Sequence, residues 1–235
     1  MISERKFAAS YTSFWNQVLP RIDGYLRRIN CLCKRYENEI SVIASAHRDR
    51  RAIVNETGFR LFKAVCTDKH VSDRRVREIA ESVRQYVERL SNANDGVVRE
   101  PVVEKEIDEA EAISTSLMVY FKGTSIRELL FWPQFPGCGI LHATKGDIIH
   151  GKRLYEVKAG DRSFRVTDMR QILTYCAMDF AASKYGIEDV VLLNPRRGTH
   201  FCTSVDQLVK ESSGGSPVDF FSKVIEFLSA ETNSR

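Results

Sequence analysis

No apolar run in this chain approaches the roughly 20 residues needed to cross a bilayer. Its start, MISERKFAAS, carries no apolar stretch of the kind that forms a signal-peptide core, so a cytoplasmic protein with no membrane partner is the expectation. Cysteine is sparse: Cys31, Cys33, Cys66, Cys138, Cys176 and Cys202 are dispersed through 235 residues, which points to reduced thiols. Cys31 and Cys33 are close, but no second close pair completes a tetrahedral zinc site. The five histidines are scattered, and His142 and His150 suit surface or turn roles better than ligation. Internal repeats and low-complexity tracts are also missing. Neither sign of charge dominates, and the formal net charge of +4 permits nucleic-acid binding without requiring it.

What remains is an ordinary globular composition, 43% hydrophobic and 28% charged, enough for one full core and a small second one. Phe14, Val18, Ile22, Leu26 and Ile29, then Leu32, Tyr36, Ile40 and Ile43, recur at helical spacing, with Pro20 as a break or a start. Val76, Ile79, Val83, Val87 and Leu90 predict another helix, with Ser72 as N-cap and Asp73 in its first turn. The HRDRR run at 47–51 reads as the solvated face of a helical bundle. The polar stretch SNANDG at 91–96 marks a boundary. An all-helical region, 1–95, is thus expected before a second region, 96–235.

In the second region a helix is predicted over Val103–Phe121, with Ile107, Ala110, Ile113, Leu117 and Tyr120 on one face. The period then changes. Glu128–Phe135 predicts a strand broken by Pro133, with Phe131 and Trp132 as sheet-core residues, and Gly137-Cys138-Gly139 a turn. Gly146–Ile149 and Leu154–Ala159 predict two strands joined through His150-Gly151-Lys152. Thr167–Tyr185 predicts a helix stopped by Gly186, and Val190–Leu193 a buried strand ending at Asn194-Pro195. From Ser204 onward two short helices are expected on either side of SSGGSP at 212–217.

The informative segment is GDIIHGKRLYEVKAGDRSFRVTDMRQILTY, residues 146–175. Side chains of a strand alternate faces, so Glu156 and Lys158 share one side while Val157 turns to the core. A hairpin brings Asp147 beside Glu156, and two adjacent carboxylates repel unless something positive lies between them. A hard cation such as Mg²⁺ satisfies that demand, held by Asp147, Glu156 and the Val157 carbonyl. Such an ion polarises a phosphodiester and acidifies a bound water, while Lys158 orients that water or stabilises developing charge. Between Lys145 and Arg170 stand seven basic residues, Lys145, Lys152, Arg153, Lys158, Arg162, Arg165 and Arg170, against four acids, which suits a polyanion. Arg196 and Arg197, just after the 190–193 strand, either cap the sheet edge or hold phosphate.

Asp147, eight intervening residues, and Glu156-Val157-Lys158 resemble the motif of the PD-(D/E)XK nuclease superfamily. Gln171-Ile-Leu-Thr-Tyr175 on the following helix looks like the QxxxY motif of its RecB-like branch, where Gln171 and Tyr175 share a face and orient the Lys or contact substrate. The resemblance covers roughly residues 103–200. It implies an α/β, restriction-endonuclease-like core, a central mixed sheet flanked by helices, and Mg²⁺- or Mn²⁺-dependent hydrolysis of DNA; the motif itself does not distinguish DNA from RNA. The family usually adds an acid from a helix that precedes the sheet, and Glu109 is the expected one, ahead of Glu106. The cysteine cluster that holds an iron–sulfur centre in some relatives is missing, so no such cluster is expected.

Proteins of this kind serve in restriction, anti-phage defence or repair, beside a helicase, an ATPase or another defence-system protein. Two other readings stand beside this one. A non-catalytic nucleic-acid-binding or assembly module retains the same fold, and a dimeric junction resolvase uses two such sites on one substrate.

Overall fold

The computed structural model describes residues 1–36, 42, 46–68, 70–90 and 96–233. Near the amino terminus it has α1 (Glu4–Ala9), α2 (Thr12–Val18), α3 (Ile22–Leu32), strand β1 (Lys34–Arg35), α4 (Arg51–Thr67) and α5 (Asp73–Leu90). Pro20 falls between α2 and α3, where its missing N–H costs nothing. Helix α1 was not expected, yet Ser3 caps it by accepting from the Lys6 amide at 3.2 Å. The expected helical run through Tyr36 stops at Leu32. Lys34 and Arg35 instead pair with His200 and Thr199 at the sheet edge, and the Tyr36 amide donates to the Gly198 carbonyl at 3.1 Å. Sheet hydrogen bonds here outweigh apolar spacing. Ile40 and Ile43, expected in the same helix, lie outside the described residues, as do 91–95 of the expected boundary. The HRDRR run is not wholly solvated: Arg50 is buried and grips Glu106 through Nε and Nη2 at 2.5 and 2.8 Å.

The chain continues through α6 (Gly96–Arg99), α7 (Glu104–Tyr120), β2 (Leu130–Phe131), β3 (Gln134–Phe135), β4 (Thr144–Lys145), β5 (Ile148–His150) and β6 (Arg153–Val157). It ends with α8 (Val166–Ala182), β7 (Asp189–Asn194), β8 (Thr199–Ser204), α9 (Val205–Ser213) and α10 (Pro217–Asn233). A mixed sheet runs in the order β1-β8-β7-β6-β5-β2, with β6 and β7 parallel and the other neighbours antiparallel. Helix α8 is the crossover that a parallel pair requires.

Several boundaries differ from expectation for local reasons. The 128–135 strand is split at Trp132, which sits at φ 52°, and β3 leaves the main sheet to pair with β4. Helix α8 ends at Ala182 because Asp179 accepts the amides of Tyr185 and Ile187 at 2.7 and 2.9 Å, closing the chain on itself. Strand β8 was not expected. The last helix is 17 residues, longer than the short helix expected.

Alternation along the central strands divides the interior into two layers. Leu154, Val190 and Leu192 enter one cluster with residues of α1–α3 and α8–α10, whereas Tyr155, Val191 and Leu193 enter the other with α4, α5 and α7. Strands buried on both faces need such unbroken apolar runs. Each of these side chains contributes about 1.5–3 kcal/mol by leaving water. Helices α4 and α7 approach closely at Gly58, where a Cβ would come within 2.8 Å of the Ala110 carbonyl and the Ile113 side chain. The result is an α/β protein with helices on both faces of a six-stranded mixed sheet.

Candidate active site

The hairpin register sets the first two acids side by side. Ile148 pairs with Tyr155, so Asp147, one residue before β5, stands opposite Glu156 and accepts the Val157 amide at 2.7 Å. Asp147 is itself placed by an irregular backbone. The Trp132 amide, in its left-handed conformation, donates to the Asp147 carbonyl at 2.9 Å, and Gly146 donates to Pro133 at 3.0 Å. A bulky residue at positive φ costs energy that its surroundings must offset. Here the ring of Trp132 lies against Phe59, with the Lys63 ammonium 3.9 Å from its centroid. Trp132 and Phe131 are half-buried.

On the neighbouring strand, Glu156 is 1% exposed. The Lys158 ammonium donates to Glu156 Oε1 and to Gln171 Oε1, both at 2.6 Å, with Asp168 Oδ1 at 3.9 Å. Gln171 Nε2 donates in turn to the Tyr175 hydroxyl at 3.1 Å. Gln171 and Tyr175 therefore act as one helical face, and Gln171 fixes the Lys158 head group. The structure thus gathers Asp147, Glu156, Val157, Lys158, Gln171 and Tyr175 at one place.

A carboxylate that sequence reasoning missed completes this group. Glu4, in the first turn of α1, is buried and accepts from the Tyr175 hydroxyl at 3.2 Å, from Gln171 at 3.3 Å and from the Thr144 hydroxyl at 2.8 Å. Its neighbour Arg5 faces the same acids. Burial works against the Arg5 charge, yet Glu156, Asp147 and Glu4 hold its pKa above the usual value. The available signal was Ser3-Glu4, an N-cap followed by an acid, in a segment short enough to pass for a disordered start.

Glu109 goes elsewhere. It accepts the Ala46 amide at 2.8 Å and forms a buried ion pair with Arg196 at 2.6 Å. Arg196 also donates to the Ala159 carbonyl at 2.8 Å and to Asn55 at 2.9 Å, so it braces the strand end from within and does not face solvent. Helical phase alone could not distinguish a buried structural carboxylate from a catalytic one. Glu106, the second choice, is the buried partner of Arg50.

The basic residues also divide. Lys152 pairs with Glu188, and Arg153 with Asp189 at 2.8 Å, both at the end of β6 away from Glu156. Arg170 is buried near Trp15, and burial lowers its pKa. Arg165 and Lys145 are exposed, and the Lys145 carbonyl accepts the Tyr175 hydroxyl at 3.2 Å. Arg162 lines the cleft, gripping Asp168 at 2.6 and 2.9 Å, and Arg197 is exposed beyond it.

Electrostatically the site is strained in favour of a cation. Burial and the adjacent Glu156 charge push the Asp147 carboxyl well above its usual range, against the pull of Lys158 and of the Val157 amide. Burial also raises the Tyr175 hydroxyl, helped by Glu156, Glu4 and Asp147, so it stays a neutral donor. Burial would raise Asp168 too, but the Arg162 hydrogen bond and the Lys158 charge hold it below the usual range. Glu156 Oε2 is buried with no hydrogen-bond partner among the described residues. A buried carboxylate oxygen left unpaired is costly, and a divalent ion would satisfy it. Among the described residues no group of three His, Cys, Asp or Glu side chains is arranged to hold a metal. Two carboxylates and a backbone carbonyl would therefore have to suffice.

Asp147, Val157, Lys158, Asp168 and Gln171 line a cleft of about 750 Å³ between α1, α4, α5 and α8, whose walls also include Arg5, Tyr86 and Arg162, while Glu156, Tyr175 and Glu4 are buried. Among the described residues no helix is long and apolar enough to cross a membrane, and all six cysteines are free thiols. No family model and no curated protein matches the chain.

Proposed function

We propose that this chain is a nuclease that hydrolyses DNA phosphodiester bonds with Mg²⁺ or Mn²⁺, on a restriction-endonuclease-like core. The observation that carries this reading is Glu156 Oε2, buried and unpartnered beside Asp147, with Lys158 held 2.6 Å from the other oxygen of the same carboxylate. Two carboxylates and one ordered ammonium beside a cleft fit metal-assisted phosphodiester hydrolysis.

Asp147, Glu156 and the Val157 carbonyl would hold the metal, which supplies Lewis-acid activation of the phosphodiester and of water. The chain's own residues do the rest. Gln171 fixes Lys158 so that its ammonium faces the reacting phosphate, where it orients the nucleophile or neutralises charge as the bond breaks. Tyr175 and Glu4 hold Gln171 in turn, and Asp168 places a carboxylate oxygen 3.9 Å from the Lys158 ammonium. Arg5 and Arg162, which both line the cleft, offer guanidinium groups to the nucleic-acid backbone. A helicase or ATPase partner, and a role in restriction, defence or repair, belong to the same proposal.

The test is incubation of the purified chain with supercoiled plasmid, single-stranded DNA and RNA, with Mg²⁺ or Mn²⁺ and with a chelator. Metal-dependent cutting of DNA is expected, and its absence on all three substrates would turn the reading toward a binding module.

A further inference from the structure

A second pocket, about 220 Å³, adjoins the cleft, and Arg162 lines both. Its walls carry Arg35, Arg162 and Arg197 with Ser163, Asn194 and Thr199, and among the described residues no acid lines it. Arg35 reaches it from β1, whose backbone pairs with Thr199 of β8. Arg197 comes from the turn joining β7 to β8, and its Nη1 donates to Ser163 Oγ at 2.8 Å. Arg162 is offset by Asp168, but no carboxylate among the described residues pairs with Arg35 or Arg197. Arg35 and Arg197 thus bring two guanidinium groups without a carboxylate partner among the described residues to one pocket, where an anion would offset their repulsion.

The walls are fixed in advance. The Asn194 amide donates to the Gly160 carbonyl at 2.8 Å, while its oxygen accepts the Arg197 amide at 3.0 Å. Asn30 clamps the other end of the loop, donating to the Phe164 carbonyl at 3.0 Å and accepting the Phe164 amide at 3.2 Å. Preorganised donors lose little entropy on binding. The basic and hydroxyl lining suits a tetrahedral oxyanion, whose oxygens match the fork of an arginine.

We propose that this pocket binds a phosphate of the strand whose scissile bond lies in the cleft, an inference whose ligand class rests on the nuclease reading. Arg35 and Arg197 supply the charge, and the Ser163 hydroxyl a neutral donor. The same chemistry fits an internal diester or a terminal 5′-monoester. Either way the pocket sets the register of the strand at Lys158.

The full chain and its Arg35→Gln/Arg197→Gln variant would be titrated without divalent cations, with inorganic phosphate and with single-stranded oligonucleotides bearing 5′-phosphate or 5′-hydroxyl. Wild type is expected to bind phosphate saturably and the variant about tenfold more weakly. Loss of one phosphate contact also lowers the salt dependence of single-strand binding by about 0.7 in log–log slope. A preference for 5′-phosphate that vanishes in the variant identifies the terminal group, and equal weakening of both oligonucleotides identifies an internal one. Phosphate and oligonucleotide affinities unchanged in the variant would overturn the proposal. Should the double variant fail to fold, Arg197→Gln alone, at an exposed turn position, carries the same comparison.

Plasmid cleavage by wild type keeps the two readings apart. Cutting, together with unchanged affinities in the variant, removes the pocket and leaves the nuclease. Phosphate binding lost in the variant, with no cutting by wild type, keeps the pocket and removes the nuclease.

Discussion

Glu4 and Tyr175 are 171 positions apart, yet the Tyr175 hydroxyl donates to Glu4 Oε1 at 3.2 Å in the interior. The contact ties α1 to the crossover helix α8, and through Gln171 it reaches the Lys158 ammonium. The amino-terminal helix is therefore part of the candidate site.

That relationship predicts coupled losses. Glu4→Gln and Tyr175→Phe should each lower DNA cleavage about 10- to 100-fold, as removal of an orienting partner commonly does. The double variant should lose less than the product of the two, because both act through Gln171 and Lys158. Cleavage rates for the three variants at saturating metal check this, and fully multiplicative losses would mean that the two residues act independently.

Asp147 predicts a pH effect of definite sign. Its folded pKa lies above the unfolded value of about 4. Between those two values the folded state holds more protons than the unfolded one, so this group's contribution to stability falls as pH rises through that window. Asp147→Asn should therefore melt above the metal-free wild type, by a margin that widens from about pH 5 to about pH 8. Thermal melts in the presence of a chelator measure it, and a margin that narrows with pH would refute the assignment.

Metal itself should reverse the order. Mn²⁺ at 100 times its dissociation constant stabilises a single-site protein by about 2.7 kcal/mol. Wild type should gain that increment and Asp147→Asn should not.

Arg196 predicts a structural phenotype. Removing it takes the buried Glu109 carboxylate's arginine away, a change of the kind that costs about 3–5 kcal/mol. Arg196→Ala should unfold at lower denaturant, and its residual cleavage should track the folded fraction. A stable variant with weakened DNA binding would instead assign Arg196 to the substrate.

The strand-borne part of the site was readable because it is local. Asp147, Glu156 and Lys158 are joined by one hairpin and strand alternation, and Gln171 and Tyr175 by one helical face, so period and spacing suffice. Glu4 was not readable, since its place depends on how a six-residue helix docks against α8, and nothing near it in sequence encodes that. Glu109 shows the converse: it satisfies the helical phase of a site residue, but a distant arginine claims it. Strand β8 escaped for a related reason. Its alternation is weak, and pairing with β7 along six residues defines it more than its own composition.

The most direct test of the central claim is plasmid and single-strand cleavage with Mg²⁺ or Mn²⁺ by wild type, Asp147→Ala and Lys158→Ala. Metal-dependent cutting by wild type that falls by at least about 10²-fold in both variants is the predicted result. Cutting that persists at the wild-type rate in either variant would contradict the account and place the chemistry elsewhere in the fold.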